Sequence, residues 1–456
     1  MGCRFEEYLL TGNREKLAAM NRMMHGMHHS YIEYSLDFAA AGLYDEAGQI
    51  LRQTVRKEGT YPMVYYALGY YAAMQGETVQ AKSYYELAAS QSPDRCFPNR
   101  IEEVNILRNA MEYNPSDARA PYYLGNFYYA ARQYTDAVAS WEKSYTLDDR
   151  FPTVQRNLAL AYYNKLHDRD RALAFMERAF ALDSSDTRVF MELDQLHKKT
   201  GVAPTERLEK LEAHMELVQQ RDDMLVELAT LYNLTGNHHK AMELIASHKF
   251  HPWEGGEGKV TRQYTLCRTE LAKKALIKSD FREALRLLHE TDRYPDNLGE
   301  GKLSTTEEND TDYFKGLAYA GLGDMDRAAE YLRKATQGSS EPMQAFFYND
   351  QQPDKIFYQG LAWAALGDVK KARGRFNKLI AYGRQHLFDT CRIDYCAVSM
   401  PDLALWEADL DVRNPKQSHS VMGLGHFGLG DRENARQHRR NLVAAYSCPP
   451  DVRNPR

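Results

Sequence analysis

One recurring interval constrains this chain more than any other feature. An alanine that follows an acidic or polar turn and opens a helix stands at Ala47 and again at Ala81, 34 residues on; Ala137 and Ala172 are 35 apart. The turn before it recurs as Ala41-Gly42-Leu43-Tyr44-Asp45-Glu46-Ala47, Leu322-Gly323-Asp324-Met325-Asp326-Arg327-Ala328, Leu366-Gly367-Asp368-Val369-Lys370-Lys371-Ala372 and Leu429-Gly430-Asp431-Arg432-Glu433-Asn434-Ala435. Upstream lie Leu68-Gly69, Leu124-Gly125, Leu158-Ala159 and Leu228-Ala229. Small residues on one helix, a glycine that ends it and an alanine on the next let two helices pack closely. A single pair of this kind cannot bury its apolar face, so the pairs must stack.

A period of about 34 residues is that of the tetratricopeptide repeat. The expected fold is all-α: a tetratricopeptide-type solenoid of about ten helix-turn-helix units, wound as a right-handed superhelix. Gly69, Gly125 and Gly316 should stand where helices approach, and Gly42, Gly76, Gly236, Gly323, Gly367 and Gly430 should end helices in the left-handed conformation. Tyr85, Trp141 and Leu332 should plug the gap to the next unit.

From Ala241 the interval lengthens to 43 at Ala284, 44 at Ala328, 44 at Ala372 and 63 at Ala435. The extra residues form loops near 248–258, 292–310, 337–354 and 386–418, each after a second helix, so stacking should bring them out along one edge. The expected organisation is a helical cap over 1–29, a regular array over 30–250 with a short insertion at 93–115, an array with long loops over 251–446, and a tail over 447–456.

Composition excludes several function classes. The net charge is −5 with a pI near 6.3, so no basic stripe points to nucleic acid. Met1-Gly2-Cys3-Arg4-Phe5-Glu6 has no apolar core for a signal peptide, and Glu6 replaces the Ser or Thr that myristoylation needs. No apolar run approaches a membrane span. The 6 cysteines form no C-x-x-C pair and read as free thiols, which suits the cytoplasm. No cofactor is expected. His25, His28 and His29 lie in a methionine-rich stretch without metal-ligand spacing, so no metal is expected either.

Two surfaces carry candidate binding residues. First helices line the groove of such arrays, which places Tyr66, Tyr70, Tyr122, Asn126, Tyr129, Arg156, Asn157 and Tyr163 there as outward-turned residues. Asn126 and Asn157 are similar to the paired asparagines of carboxylate-clamp domains, but Tyr122 and Glu192 stand where a clamp needs lysine and arginine. The second surface is the looped edge, with Trp253, Glu254, Glu257, Lys259, Glu300, Lys302, Tyr348, Asp350, Asp394 and Trp406. Aromatic faces and carboxylates suit sugar rings. Gly-Glu-Gly-Lys occurs at 256–259 and 299–302, but Trp253 and Asp296 replace the first Walker glycine, and Val260 and Leu303 follow the lysines, so a P-loop is excluded. Glycosidase chemistry would need two of these carboxylates at a set separation, which a sequence does not fix.

The stretches Tyr61-Pro62-Met63-Val64-Tyr65-Tyr66, Ala120-Pro121-Tyr122-Tyr123-Leu124-Gly125-Asn126 and Asn157 to Lys165 carry a resemblance, together with loops 251–259 and 297–302 and Ile393-Asp394-Tyr395. Residues from Tyr31 to about Tyr446 resemble the C-terminal array of large bacterial tetratricopeptide-repeat proteins of unknown function. In that family the array follows mutarotase-like β-sandwich domains, which implies carbohydrate handling; this chain has no such region. The expected function is a non-enzymatic scaffold that grips a protein, a peptide or a mutarotase-like domain in its groove. The alternative is a carbohydrate-binding or carbohydrate-processing module on the looped edge. Asp411-Val412-Arg413-Asn414-Pro415-Lys416 nearly recurs at 451–456, without a physical reason in the sequence.

Overall fold

The computed structural model describes residues 2–56, 59–253, 255–343, 350–390, 405–406 and 410–447. Every regular element among them is helical. The chain divides into two compact units, Met1–Ser184 and Ser185–Arg456. The first holds α1 (Gly2–Thr11), α2 (Arg14–Met24), α3 (His28–Ala40), α4 (Tyr44–Arg52), α5 (Pro62–Met74), α6 (Thr78–Ser90), α7 (Ile101–Tyr113), α8 (Arg119–Ala130), α9 (Tyr134–Leu147), α10 (Pro152–Asn164) and α11 (Arg169–Leu182). The second holds α12 (Thr187–Thr200), α13 (Pro204–Ala213), α14 (Met215–Val218), α15 (Asp222–Leu234), α16 (His238–Ser247), α17 (Lys259–Ile277) and α18 (Phe281–His289). It continues with α19 (Asn309–Gly321), α20 (Met325–Lys334), α21 (Pro353–Ala365), α22 (Val369–His386), α23 (Leu410–Gly428) and α24 (Arg432–Ser447).

Most helices pair as hairpins, and the turns explain why. Gly42, Gly76, Gly236, Gly323, Gly367 and Gly430 have φ between 79° and 88°, the left-handed region. Arg132, His167 and Ser279 take the same place at φ 61°, 54° and 60°, so the turn forms without glycine as well. The residue after each regular turn donates back into the first helix: Leu43 N–H to the Phe38 carbonyl at 2.9 Å, Asp324 N–H to Tyr319 at 3.0 Å, Asp368 N–H to Trp363 at 2.9 Å. These bonds satisfy carbonyls that the helix end leaves open. Asp280, Asp324 and Asp368 then accept the Glu283, Arg327 and Lys371 amides at 3.1, 3.1 and 3.0 Å, so one residue closes the first helix and opens the second.

Close approach is set by a second rule. A β-carbon on Gly69 would stand 2.5 Å from Tyr85, on Gly125 2.4 Å from Trp141, on Gly316 2.8 Å from Leu332 and on Gly360 2.4 Å from Phe376. Each large side chain follows its glycine by sixteen residues and fills the cleft inside its own hairpin. The expectation that these side chains serve the gap to the next unit holds in part as well: the Tyr85 hydroxyl donates to Asn109 Oδ1 on α7 at 2.6 Å and its ring lies 5.9 Å from Tyr113, and Leu332 shares a core cluster with Ala362 of α21.

The first helix of a hairpin packs on the first helix of the next in α3 on α5 and in the run α15, α17, α19, α21, α23, whereas α10 packs on the preceding hairpin mainly through α9 and meets α8 through the Asn126–Asn157 bond. Successive second helices touch at most slightly. First helices therefore form the tighter, inner layer. In the first unit the lone helix α7 sits between α5 and α8.

Candidate functional site

The inner layer of the first unit carries the groove residues. Tyr70 is on α5, Asn126 and Tyr129 are on α8, and Arg156, Asn157 and Tyr163 are on α10; all six are partly buried. Asn126 is the centre. Its Oδ1 accepts the Trp141 indole N–H at 3.1 Å and the Asn157 Nδ2 at 3.1 Å. Indole nitrogen is a donor only, so Trp141 fixes which end of the amide faces it. The Asn126 Nδ2 is left buried without a hydrogen-bond partner. Close by, the Arg119 guanidinium lies 3.7 Å over the Phe151 ring, and its Nη1 is also buried and unpartnered. Between α8 and α10 the face thus holds an amide ladder and two donors that lack acceptors, a state that a buried polar group rarely keeps.

Two expected groove residues are packing residues. Tyr66 is fully buried, and its hydroxyl donates to Asp117 Oδ2 at 2.7 Å. Asp117 uses its other oxygen to cap α8, accepting the Arg119 amide at 2.7 Å. Tyr122 is buried too, its ring 4.8 Å from Phe151. Burial pushes its hydroxyl pKa up, against the pull of the Asn126 amide and of Arg119 and Arg156. Both face the stack, not solvent.

In the second unit, Trp253, Glu257 and Glu300 lie together, yet they serve the fold. The Trp253 indole packs on Gly256, where a β-carbon would come within 2.1 Å. The Glu300 carboxylate accepts the Gly258 amide with both oxygens, at 3.1 and 3.0 Å, and so caps the N-terminus of α17. Burial raises its pKa, the Gly258 amide opposes this, and Glu257 adds to it. Lys302 donates to the Thr291 carbonyl at 2.8 Å and pairs with Glu308 at 2.6 Å. Lys259 opens α17, and Asp350 precedes α21. Trp406 is 2% exposed rather than on an open edge; its indole donates to the Glu192 carbonyl on α12 at 3.0 Å. Glu254, Tyr348 and Asp394 lie outside the described residues. Cavities of about 440 and 500 Å³ lie elsewhere, at the turn after α9 and between α23 and α24.

Sequence reasoning missed a set of asparagine clasps. Asn297 Nδ2 donates to the Ile245 and His248 carbonyls, both at 2.8 Å; Asn309 to Ala335 and Gln337, at 2.9 and 2.8 Å; Asn414 to His386 and Asp389, at 2.6 and 3.1 Å. Each holds the open carbonyls after a second helix: Asn297 and Asn414 from a later segment, Asn309 from the first helix of the same hairpin. Asn414 gives the first Asp-Val-Arg-Asn-Pro segment a structural use; the second copy lies outside the described residues. It also missed buried ion pairs, such as Arg207 to Asp194 at 3.0 and 2.6 Å and to Glu227 at 2.7 Å. An arginine opposite an acid on consecutive helices was the available signal.

Among the described residues no helix is long and apolar enough to cross a membrane. The family model of the tetratricopeptide repeat matches residues 313–337, which cover most of the α19–α20 hairpin. Three solved structures are similar in part. The crystal structure of MamA is 19% identical, covering 40% of this chain and 96% of its own at a TM-score of 0.21. TTC0263, a tetratricopeptide protein of Thermus thermophilus, is 19% identical over 37% and 98% with a TM-score of 0.21. YrrB, titled a tetratricopeptide protein with an unusual peptide-binding site, is 18% identical over 50% and 90%, again at 0.21. TM-scores this low carry no inference about shape or partners. On the hairpin geometry and the matched repeat, this chain has an all-α, tetratricopeptide-type fold.

Proposed function

We propose that the chain is a scaffold that binds a protein or peptide on the inner face of its first unit, through Tyr70, Asn126, Tyr129, Arg156, Asn157 and Tyr163. The observation that carries this reading is the Asn126–Asn157 bond on the inner layer, with the partly buried Tyr70, Tyr129 and Tyr163 on the same layer. An extended peptide presents carbonyl oxygens at regular intervals and a carboxylate at its end, which suit side-chain amides and a guanidinium such as Arg156. Tyrosines at Tyr70, Tyr129 and Tyr163 add flat apolar area with little entropy to lose. A mutarotase-like domain is one source of such a segment. The saccharide alternative is less well supported, because Glu300 and Lys302 already hold helix ends and Trp406 is buried.

The test is a phage-display peptide selection against the full chain, followed by fluorescence anisotropy on the peptides recovered. Asn126→Ala with Asn157→Ala should weaken binding at least tenfold, about 1.4 kcal/mol. Trp141 keeps its 3.2 Å bond to the Tyr122 carbonyl, so the double variant should fold. Unchanged affinity would exclude this face.

A further inference from the structure

Hairpin after hairpin sets a small residue against a large buried one sixteen positions later. The pairs are Ser35 with Leu51, Gly69 with Tyr85, Gly125 with Trp141, Ala229 with Ile245, Ala272 with Leu288, Gly316 with Leu332 and Gly360 with Phe376. In the α10–α11 hairpin, whose turn is one residue longer, the buried Met176 follows Ala159 by seventeen; the α23–α24 hairpin has no buried large residue at either spacing. Gly423 holds the small position, seven residues before the left-handed Gly430, just as Gly360 precedes Gly367. Sixteen residues after Gly423 stands Arg439, and it is exposed. A β-carbon on Gly423 would meet nothing nearer than His438 Cβ at 3.6 Å, where the other glycines meet a ring or a leucine at 2.4 to 2.8 Å.

Among the described residues no side chain takes the plug's place. A cavity of about 500 Å³ lies there, walled by Gly423, Leu424 and Phe427 of α23 and by Leu442 of α24, with His419 and His438 at one side. Phe427 is 61% exposed. Arg432, Arg436 and Arg439 also border the cavity, and none of them forms an ion pair with a described residue. Other exposed arginines are held in ion pairs in some hairpins, as Arg286 by Glu283 and Arg327 by Asp324, and stand alone among the described residues in others, as Arg282 and Arg373; here three of them border one apolar slot. Three guanidinium groups without an acid among the described residues, around an apolar slot, specify a charge for whatever enters it.

We propose that this slot docks an acidic protein segment with one large apolar anchor. The anchor enters above Gly423, where Tyr85, Trp141 and Phe376 sit in other hairpins, while carboxylates of the segment meet Arg432, Arg436 and Arg439. This surface belongs to the second unit and does not depend on the inner face of the first.

The probe is a fluorescein-labelled, glutamate-rich peptide with one central tryptophan, titrated against the full chain by anisotropy. Saturable, salt-sensitive binding is expected, with at least a tenfold loss when the peptide tryptophan becomes alanine or its glutamates become lysines. Gly423→Leu should fill the slot and cause the same loss. If circular dichroism shows that variant unfolded, Arg439→Leu serves instead: it restores the plug, raises Tm and abolishes binding. Absence of saturable binding, or affinity unchanged by a folded Gly423→Leu or Arg439→Leu, would overturn the proposal. So would light scattering showing a dimer that Gly423→Leu converts to monomer, since a second copy would then own the slot.

Discussion

Gly125→Ala tests the packing rule at its tightest described point within the groove unit. The new methyl would stand 2.4 Å from Trp141 Cδ1 and 2.5 Å from its Nε1. Trp141 is 3% exposed and tied by its indole N–H to the Tyr122 carbonyl and Asn126 Oδ1, so it cannot move without breaking those bonds. Overpacking a rigid site costs about 1–3 kcal/mol, and a weakened indole bond adds about 1. Alanine returns about 1 kcal/mol through its better helix propensity. The net is a loss of about 2 kcal/mol. Repeat arrays share stability between neighbours, so a local readout is better than one global melting point. Hydrogen exchange followed by mass spectrometry should show α8 and α9 exchanging about thirtyfold faster. Gly423→Ala is the control: its methyl has room, and α23 should be protected as well or better. A double-mutant cycle with Trp141→Leu should show strong coupling to Gly125→Ala. Protection of α8 and α9 that Gly125→Ala leaves unchanged would refute the reasoning.

Further outcomes follow from other contacts. Gly323→Ala meets no atom within 4 Å but sits at φ 82°, so backbone strain alone should lower stability by about 1 kcal/mol, read as a shifted urea midpoint. Ser279→Gly, at φ 60°, should move the midpoint the other way. Trp406→Ala removes a buried indole and should cost about 3–5 kcal/mol, with faster exchange in α12, where its carbonyl partner lies; unchanged α12 protection would count against that contact. Burial raises the Asp312 carboxyl to about 6, against the pull of Lys315. An acid that holds its proton more tightly folded than unfolded makes stability fall as pH rises from about 4 to 6. Asp312→Asn should therefore raise Tm at pH 7, by about 2–3 kcal/mol of stability, and leave it unchanged near pH 4.

The local rules of this fold are readable in its residues. Gly42, Gly323 and Gly367 announce left-handed turns because the need for positive φ is set by neighbouring backbone alone. Gly69, Gly125 and Gly316 announce close approach because the side chain that fills the space stands sixteen residues on in the same hairpin. Arg132 and Ser279 conceal the same turn and His167 one that is a residue longer, each at the strain that glycine avoids. Side-chain direction was harder. Whether Tyr66 or Tyr70 faces the groove depends on how one hairpin is rotated against the next, since the two lie one turn apart on α5. Trp406 is buried by a contact with a residue 214 positions away, which no local pattern encodes. The asparagine clasps escape for the same reason: Asn297, Asn309 and Asn414 look like loop residues until the carbonyls they hold are brought to them. The missing plug at Arg439 was legible in principle, because the sixteen-residue spacing is a property of the sequence.

The most direct measurement of the functional account is hydrogen exchange on the full chain with and without a selected peptide. Inner-face binding predicts that protection gained on binding concentrates in α8 and α10, and that Asn126→Ala with Asn157→Ala abolishes it. Protection that falls on α9 and α11, or only within the second unit, would contradict it.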